Sequence, residues 1–527
     1  MRISRWFLTV LAVVLCAASG LAQQPQHLFF RVTLGQQFTA PASGRMLILL
    51  TAGSGAEKID EDPFHPTSVY IAAKEVPYLA PGASVDVDTD DIAFPEGFSS
   101  LKPGDYQAQA VLDVGHTYAY GGREAGDLVS DVVPLAAFHP GTGAEPVLVL
   151  NATLPELPAP KLAPEFVAHA RLEYLTSPAL TAFFARPVHV RAWVVLPPDY
   201  DEHAKAHYPA VYWTHGFGAD LDYAEMFGSS IYQRMVRGLM PPMIWVMLDE
   251  SWATGTHEFA DSANDGPWGT ALTTEFIPFL ERKYRMDARP SGRFLQGHSS
   301  GGWATLQLQI NYPEIFGGTW STSPDPSDFH DFTGIDLYAP HANMYHRADG
   351  TPYPIVRDHD KVLSTTEQFA RDETVQGAYG GQFTSFDWVF SPRGSDGRPL
   401  PMFNRATGDI DPAVVAYWHD HYDLAHIVTT TWSQRGPLLR GKIHVIVGTA
   451  DTFYLDGAAH KLDAVLQGLN AGAHFTYIPD RTHFDLYTMQ VDGKEDRGGL
   501  LNVIATEMYA VARPGKAWKP AAQPASH

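Results

Sequence analysis

Ser299 lies in Gly297-His298-Ser299-Ser300-Gly301, a Gly-x-Ser-x-Gly pentapeptide. A serine hydroxyl attacks an ester carbonyl only with help. It needs a base to take its proton, an acid to orient that base, and N–H donors for the oxyanion that forms. The pentapeptide alone is weak evidence in a chain with 45 glycines. Its setting strengthens it. Phe294-Leu295-Gln296 reads as a short apolar strand, and Gly301-Gly302-Trp303-Ala304-Thr305-Leu306 as the start of a helix. A nucleophile elbow needs this strand–turn–helix context: the serine takes a strained backbone, and the glycines let strand and helix approach. The helix N-terminus then favours developing negative charge.

The partners should follow in the order Ser, Asp, His, at the carboxyl ends of later strands. Asp451 comes just after the expected strand 442–447, and His483 after the expected strand 474–478. Both fall on the rim where Ser299 is expected, and the interval between them holds one helix and one strand. Asp480 is an alternative orienter for His483. His460 falls within a predicted helix and His474 at the opposite end of a strand, so both are poorer bases. For the oxyanion, the Ser300 N–H is one donor; His215-Gly216-Phe217-Gly218, after the run 209–214, supplies the other, assigned to Phe217. Trp303, beside the elbow, is a candidate wall of an aromatic substrate pocket. His330, His341, His346, His359, His419, His421 and His426 repeat no ligand spacing. His419 and His421, two apart, point to different sides of a helix, so no metal site is expected. The chemistry outlined needs no cofactor.

These residues require a scaffold of alternating strands and helices, and from about residue 165 the pattern supplies one. Strands are expected at 209–214, 243–248, 293–296, 442–447 and 474–478, with helices at 270–284, 301–311, 457–469 and 500–511. Such alternation predicts an α/β fold with parallel strands and sites at their carboxyl ends. Between 323 and 437 the alternation breaks down in a segment rich in Asp, His, Pro and aromatics, read as a cap insertion over the site. Residues 23–153 alternate as short strands at 27–34, 45–51, 83–87, 106–114 and 145–151, with Gly/Pro turns between them. That spacing suggests a β-sandwich-like domain. Residues 154–164 form a Pro-rich linker, 165–513 the catalytic domain and 514–527 a disordered tail.

Hydrophobic residues make up 45% of the 527 and charged residues 18%, so large cores can form. With 59 acidic and 37 basic residues the formal charge is −22, which argues against nucleic acid or an anionic membrane surface as partner. At the N-terminus Arg2 and Arg5, the apolar stretch 6–18 and Gly20-Leu21-Ala22 form a signal-peptide pattern over residues 1–22. The apolar stretch is short of the ~20 residues that span a bilayer. A secreted or periplasmic protein is therefore expected. The sole cysteine, Cys16, lies inside this segment, leaving the mature chain without thiol or disulfide.

The chain resembles the putative-esterase family of α/β-hydrolases, which includes esterase D-like, feruloyl and enterochelin esterases and mycolyltransferases. The likeness rests on residues 188–198 with Tyr208-Pro209-Ala210-Val211-Tyr212, on Asp265-Gly266-Pro267-Trp268-Gly269 with Glu275-Phe276-Ile277-Pro278-Phe279-Leu280-Glu281, and on Gly297 to Gly302 with Trp303. It covers residues 171–324 and 441–487 and implies an α/β-hydrolase fold with Ser299, His483 and an acid at the site. The insertion and the N-terminal β-domain depart from the pattern, so substrates do not carry over. The expected activity is ester hydrolysis through an acyl-enzyme, on a small-molecule or polysaccharide-linked ester. The rivals are acyl transfer at the same site and an inactive carbohydrate- or envelope-binding protein. The oligomeric state is not readable.

Overall fold

The computed structural model describes residues 27–116, 123–141, 144–156, 158, 161–201, 205–379 and 381–519. The export signal expected at 1–22 lies outside them, as do residues 520–527 of the tail. Among the described residues no helix is long and apolar enough to cross a membrane.

Runs such as Ala210–Thr214 and Ile244–Leu248 are buried at every position, as strands covered on both faces must be. They belong to an eight-stranded sheet made of β1 (Ala170–Thr176), β2 (His189–Val195), β3 (Ala210–Thr214), β4 (Ile244–Leu248), β5 (Arg293–His298), β6 (Gly318–Thr322), β7 (Ile443–Gly448) and β8 (His474–Ile478). Its order is β1-β2-β4-β3-β5-β6-β7-β8. Only β2 runs against its neighbours; the strands from β3 to β8 are parallel. The carboxyl ends of β3, β5, β6, β7 and β8 therefore share one rim.

Along the chain, α1 (Leu221–Val236) joins β3 to β4, α2 (Ile277–Lys283) precedes β5 and α3 (Ser300–Asn311) follows it. Among the described residues four α-helices lie between β6 and β7: α4 (Thr366–Gln376), α5 (Gln382–Phe390), α6 (Pro412–Tyr422) and α7 (Leu424–Leu439). Then α8 (Leu455–Gly468) joins β7 to β8, and α9 (Gly499–Ala512) follows. Alternate strand residues face opposite layers. Val211, Trp213, Trp245 and Met247 pack with α1 and α9, while Tyr212, Val246, Leu248 and Leu295 face the side of Trp268 and Phe276. The helix expected over 270–284 runs from Trp268 to Lys283, with a π-helical turn at Leu272–Phe276 ahead of α2.

The segment 323–437 is more ordered than its composition suggested. It holds a hairpin, Pro354–Asp358 with Lys361–Thr365, and then α4 to α7. A capping box fixes the start of α4: Thr365 accepts from Gln368 N, and the Gln368 side chain returns to Thr365 N. Leu424, Ile427, Val428 and Leu439 of α7 share a core with Leu306 and Ile310 of α3 and Leu462 of α8. From Leu424 the chain thus covers the sheet, so the insertion ends earlier than the expected 437.

The strands of residues 27–153 all belong to one hydrogen-bonded sheet. Eight of its nine strands follow a continuous path, and Val133–Phe138 branches off it by pairing with Gly104–Asp113. The short strand Leu128–Ser130 makes the path continuous by pairing with both Gly104–Asp113 and Val147–Thr153. Phe30, Val32, Ile48, Leu50 and Leu148 fill one face. On the other, Leu47, Leu49, Ile71 and Val111 pack against Val375 of α4.

Candidate functional site

Ser299 stands between β5 and α3 with φ 61° and ψ −126°, a backbone that residues with a side chain avoid unless a tight turn imposes it. The flanking glycines allow the turn. A Cβ on Gly297 would lie 2.2 Å from Gly301 O, and one on Gly301 would lie 2.3 Å from His215 O. Ser300 heads α3, where N–H groups have no acceptor within the helix. The loop after β3 abuts the elbow from the other side: a Cβ on Gly216 would come 3.1 Å from Ser299 Cβ. Phe217, the next residue, lines the same cavity as Ser299. The two expected oxyanion donors therefore flank the serine.

The loops after β7 and β8 meet because Gly448 leaves room; a Cβ there would lie 2.0 Å from Arg481 O. Ala450 N–H donates to Arg481 O at 3.1 Å. This brings Asp451 Oδ2 to 2.9 Å from His483 Nδ1, with the acid fully buried and the imidazole nearly so. Asp451 Oδ1 accepts from Phe453 N at 3.0 Å and Leu455 N at 3.3 Å, which fixes the carboxylate plane. Burial raises the Asp451 pKa, but the imidazole and these donors outweigh it and hold the acid below its ordinary value. Asp480, the alternative orienter, is exposed. His460 stacks on Tyr477, 3.9 Å between centroids, away from the pair.

Ser299 and His483 share a cavity of about 670 Å³. Its walls are mainly aromatic, with Trp213, Phe227, Phe332, Phe383, Phe386 and Phe453 among them. Among the described residues no lysine or arginine lines it. Trp303 is not among its walls. It is 1% exposed and packs on Phe390 of α5, 4.8 Å between centroids, because α3 turns its side chain into the layer beneath the insertion. The tryptophan at the cavity is Trp213, which had no mark in the sequence beyond its place in a strand.

Residues 185–471 match the family model described as Putative esterase, which is more than half of the chain. The chain belongs to the putative esterase family. Esterase Rv1288 and Esterase MT1326, from Mycobacterium tuberculosis strains ATCC 25618 / H37Rv and CDC 1551 / Oshkosh, are each 32% identical over 141 residues. That stretch is 26% of this chain and 30% of theirs, so the match spans under a third of the curated relatives. Among solved structures, a ferulic acid esterase is similar with TM-score 0.39 and 14% identity, over 65% of this chain and 97% of its own. The S-formylglutathione hydrolase FrmB of Staphylococcus aureus gives TM-score 0.37 and 12% identity, over 66% and 100%.

This family member also holds groups at the elbow that sequence reasoning missed. Ser299 Oγ donates to Asp325 Oδ1 in a long contact of 3.4 Å, and Asp325 N–H donates to Ser299 O at 3.2 Å. Burial pushes Asp325 up to about 7, against the pull of His483. Its signal was position: it follows β6 on the same rim, between Pro324 and Pro326. Glu250, after β4, is fully buried and accepts from Ser300 Oγ at 2.9 Å and Thr214 Oγ1 at 2.7 Å, tying the elbow to the end of β3. Burial pushes it up to about 7. His298 lies with its ring 4.3 Å from that of His483. Burial, with the neighbouring imidazole, lowers it to about 3, so it stays neutral.

Among the described residues, two groups bring ligand-type atoms within 4.8 Å of one another: His419, Asp420 and His426, and Asp113, Glu124 and Asp127. His419 meets His426 across the turn from α6 to α7, with centroids 3.8 Å apart, rather than His421. None of these residues lines the Ser299 cavity.

Proposed function

We propose that the protein is an exported serine carboxylic-ester hydrolase that works through an acyl-enzyme. The observation that carries this reading is the buried pair of His483 Nδ1 and Asp451 Oδ2 at 2.9 Å, opening on the same cavity as a strained elbow serine. Ser299 Oγ swings from Asp325 toward His483 as it attacks the ester carbonyl. The proton passes to His483, and the carbonyl π pair moves onto oxygen. Ser300 and Phe217 N–H groups hold that oxyanion. Asp451 keeps the imidazole in the tautomer that can accept at Nε2 and stabilises the imidazolium. Collapse expels the alcohol, which takes the proton from His483, and water repeats the sequence to free the acid. Export rests on the signal pattern of residues 1–22, and the insertion that begins at 323 and ends before α7 serves as a cap over the site.

The substrate is an ester with an apolar body and no anionic group, since the walls are rich in aromatic side chains and offer no cation to an anion. In Ser299→Ala, hydrolysis of a p-nitrophenyl ester should fall on the order of 10⁴-fold or more. A fluorophosphonate should label the wild type and not the variant. Turnover unchanged in Ser299→Ala would overturn the reading.

A further inference from the structure

The cavity is not built by the catalytic domain alone. Asp62, Pro63 and Phe64 line it, and they belong to the connection 53–69 between strands Ala42–Ala52 and Tyr70–Leu79 of the N-terminal sheet. They lie outside the stretch that matches the family model. The Phe64 ring is 5.9 Å from that of Phe453 and 5.5 Å from that of Phe484. Those two rings stand edge-on to His483, at 4.9 and 5.4 Å. Phe484 is 65% exposed, so a large apolar face beside the imidazole remains open.

The connection is tied to the N-terminal sheet by Ala56 N–H and Ile59 N–H, which donate to the side chains of Gln107 and Gln109 at 2.9 and 3.0 Å. Phe64 N–H donates to Asp62 Oδ1 at 2.9 Å, and His65 Nδ1 lies 2.8 Å from Asp62 Oδ2. The N-terminal sheet is fastened to the insertion through Arg45, which is 7% exposed and donates to Val375 O at 2.7 Å and Thr374 O at 3.1 Å. Arg371 of α4 lies over the Phe94 ring at 5.7 Å.

Under the hydrolase reading, the chemistry says which half of the ester meets these rings. The base that activates Ser299 must later protonate the departing alkoxide, so the alcohol leaves past the imidazole. The walls next to His483 are the walls of the alcohol site. We infer that Phe64, with Phe453 and Phe484, forms an aromatic platform for the alcohol half of the ester. The N-terminal domain thereby selects alcohols that present a flat apolar face, such as an aryl ring or the C–H face of a sugar.

The test uses the full chain carrying Phe64→Ala or Phe64→Leu, and follows acid release. Alcohol selectivity is kcat/KM for benzyl acetate, and for 6-O-acetylglucose, each relative to ethyl acetate. Acyl selectivity is ethyl hexanoate relative to ethyl acetate. The expected result is a fall of about five- to ten-fold in at least one alcohol ratio, the scale of one aromatic contact, with a smaller change in the acyl ratio. The alcohol ratio that falls further identifies aryl or sugar. If neither alcohol ratio falls in a variant that a fluorophosphonate still labels at Ser299, or if the acyl ratio falls as much, the platform is refuted. Should Phe64→Ala not fold, Phe64→Leu keeps the apolar bulk and removes only the flat ring. Failure of the wild type to label would instead refute the hydrolase reading itself.

Discussion

Replacing Asp451 by Asn removes one charge and almost no volume, and its effect follows from the hydrogen bonds around the side chain. Oδ1 accepts two backbone N–H groups, from Phe453 and Leu455, and Oδ2 faces His483 Nδ1. An asparagine has one acceptor oxygen and one amide nitrogen, and must choose. With its oxygen toward His483, the NH2 group would face two buried N–H donors, leaving each unsatisfied at a cost of about 1–3 kcal/mol. The amide should therefore turn its nitrogen to His483. That nitrogen donates, so imidazole Nδ1 must accept, and the proton moves to Nε2, where it blocks uptake of the Ser299 proton. A wrong tautomer of this kind costs on the order of 10⁴ in kcat, or about 5.4 kcal/mol of barrier. The assay is kcat for p-nitrophenyl acetate near pH 8, with thermal unfolding to show that the variant is folded. A loss below about 10²-fold in a folded variant would refute the argument, since misprotonation of the base cannot be so mild.

Stability should fall with pH because of Glu250. Its folded pKa of about 7 exceeds the ordinary 4.5, so the folded state binds the proton more tightly. The stabilisation is complete below 4.5 and is lost as pH rises through 7, about 3 kcal/mol for that shift. Melting temperature should drop between pH 5.5 and 8.5, and Glu250→Gln should reduce that drop; an equal drop in both proteins would refute the assignment. Arg45→Ala strips the donors from Val375 O and Thr374 O at the domain contact. It should lower stability by about 2–4 kcal/mol in urea unfolding, and a loss under about 0.5 kcal/mol would mean that the contact is not structural.

The parts legible in the sequence were those with a local cause. The strands at 209–214 and 243–248 are nearly continuous apolar runs, 474–478 alternates polar with apolar residues, and the structure places β3, β4 and β8 there within a residue. Asp451 and His483 were readable because a group just past such a strand falls on its carboxyl rim. Trp303 was misplaced because adjacency to Ser299 in sequence does not survive a helical turn. Asp325 and Glu250 also follow strands; acids are common in loops, and only burial distinguishes these two. The helices of the insertion were hidden by Gly, Pro and Asp that interrupt their apolar faces, although Thr365-Thr366-Glu367-Gln368 carried the start signal of α4. Tyr70–Leu79 was missed as a strand because Lys74, Glu75 and Pro77 break its alternation. Phe64 had no local signal, since its meaning lies in contacts with Phe453 and Phe484, far later in the chain.

The placement of the site on the sheet also bears on the order in which its parts can form. The elbow is assembled from neighbours in sequence, β5, its glycines and α3, and needs only the end of β3 to close on it. The acid–base pair waits on two strands that join beyond an excursion of more than one hundred residues, and β7 cannot pair with β6 until that excursion has folded back. Loop closure of that length is slow relative to local turns. A chain caught midway would carry a finished elbow and no base. Reactivity of Ser299 toward an electrophile is thus a clock for the last stage of folding, and its onset during refolding should lag the recovery of helical signal.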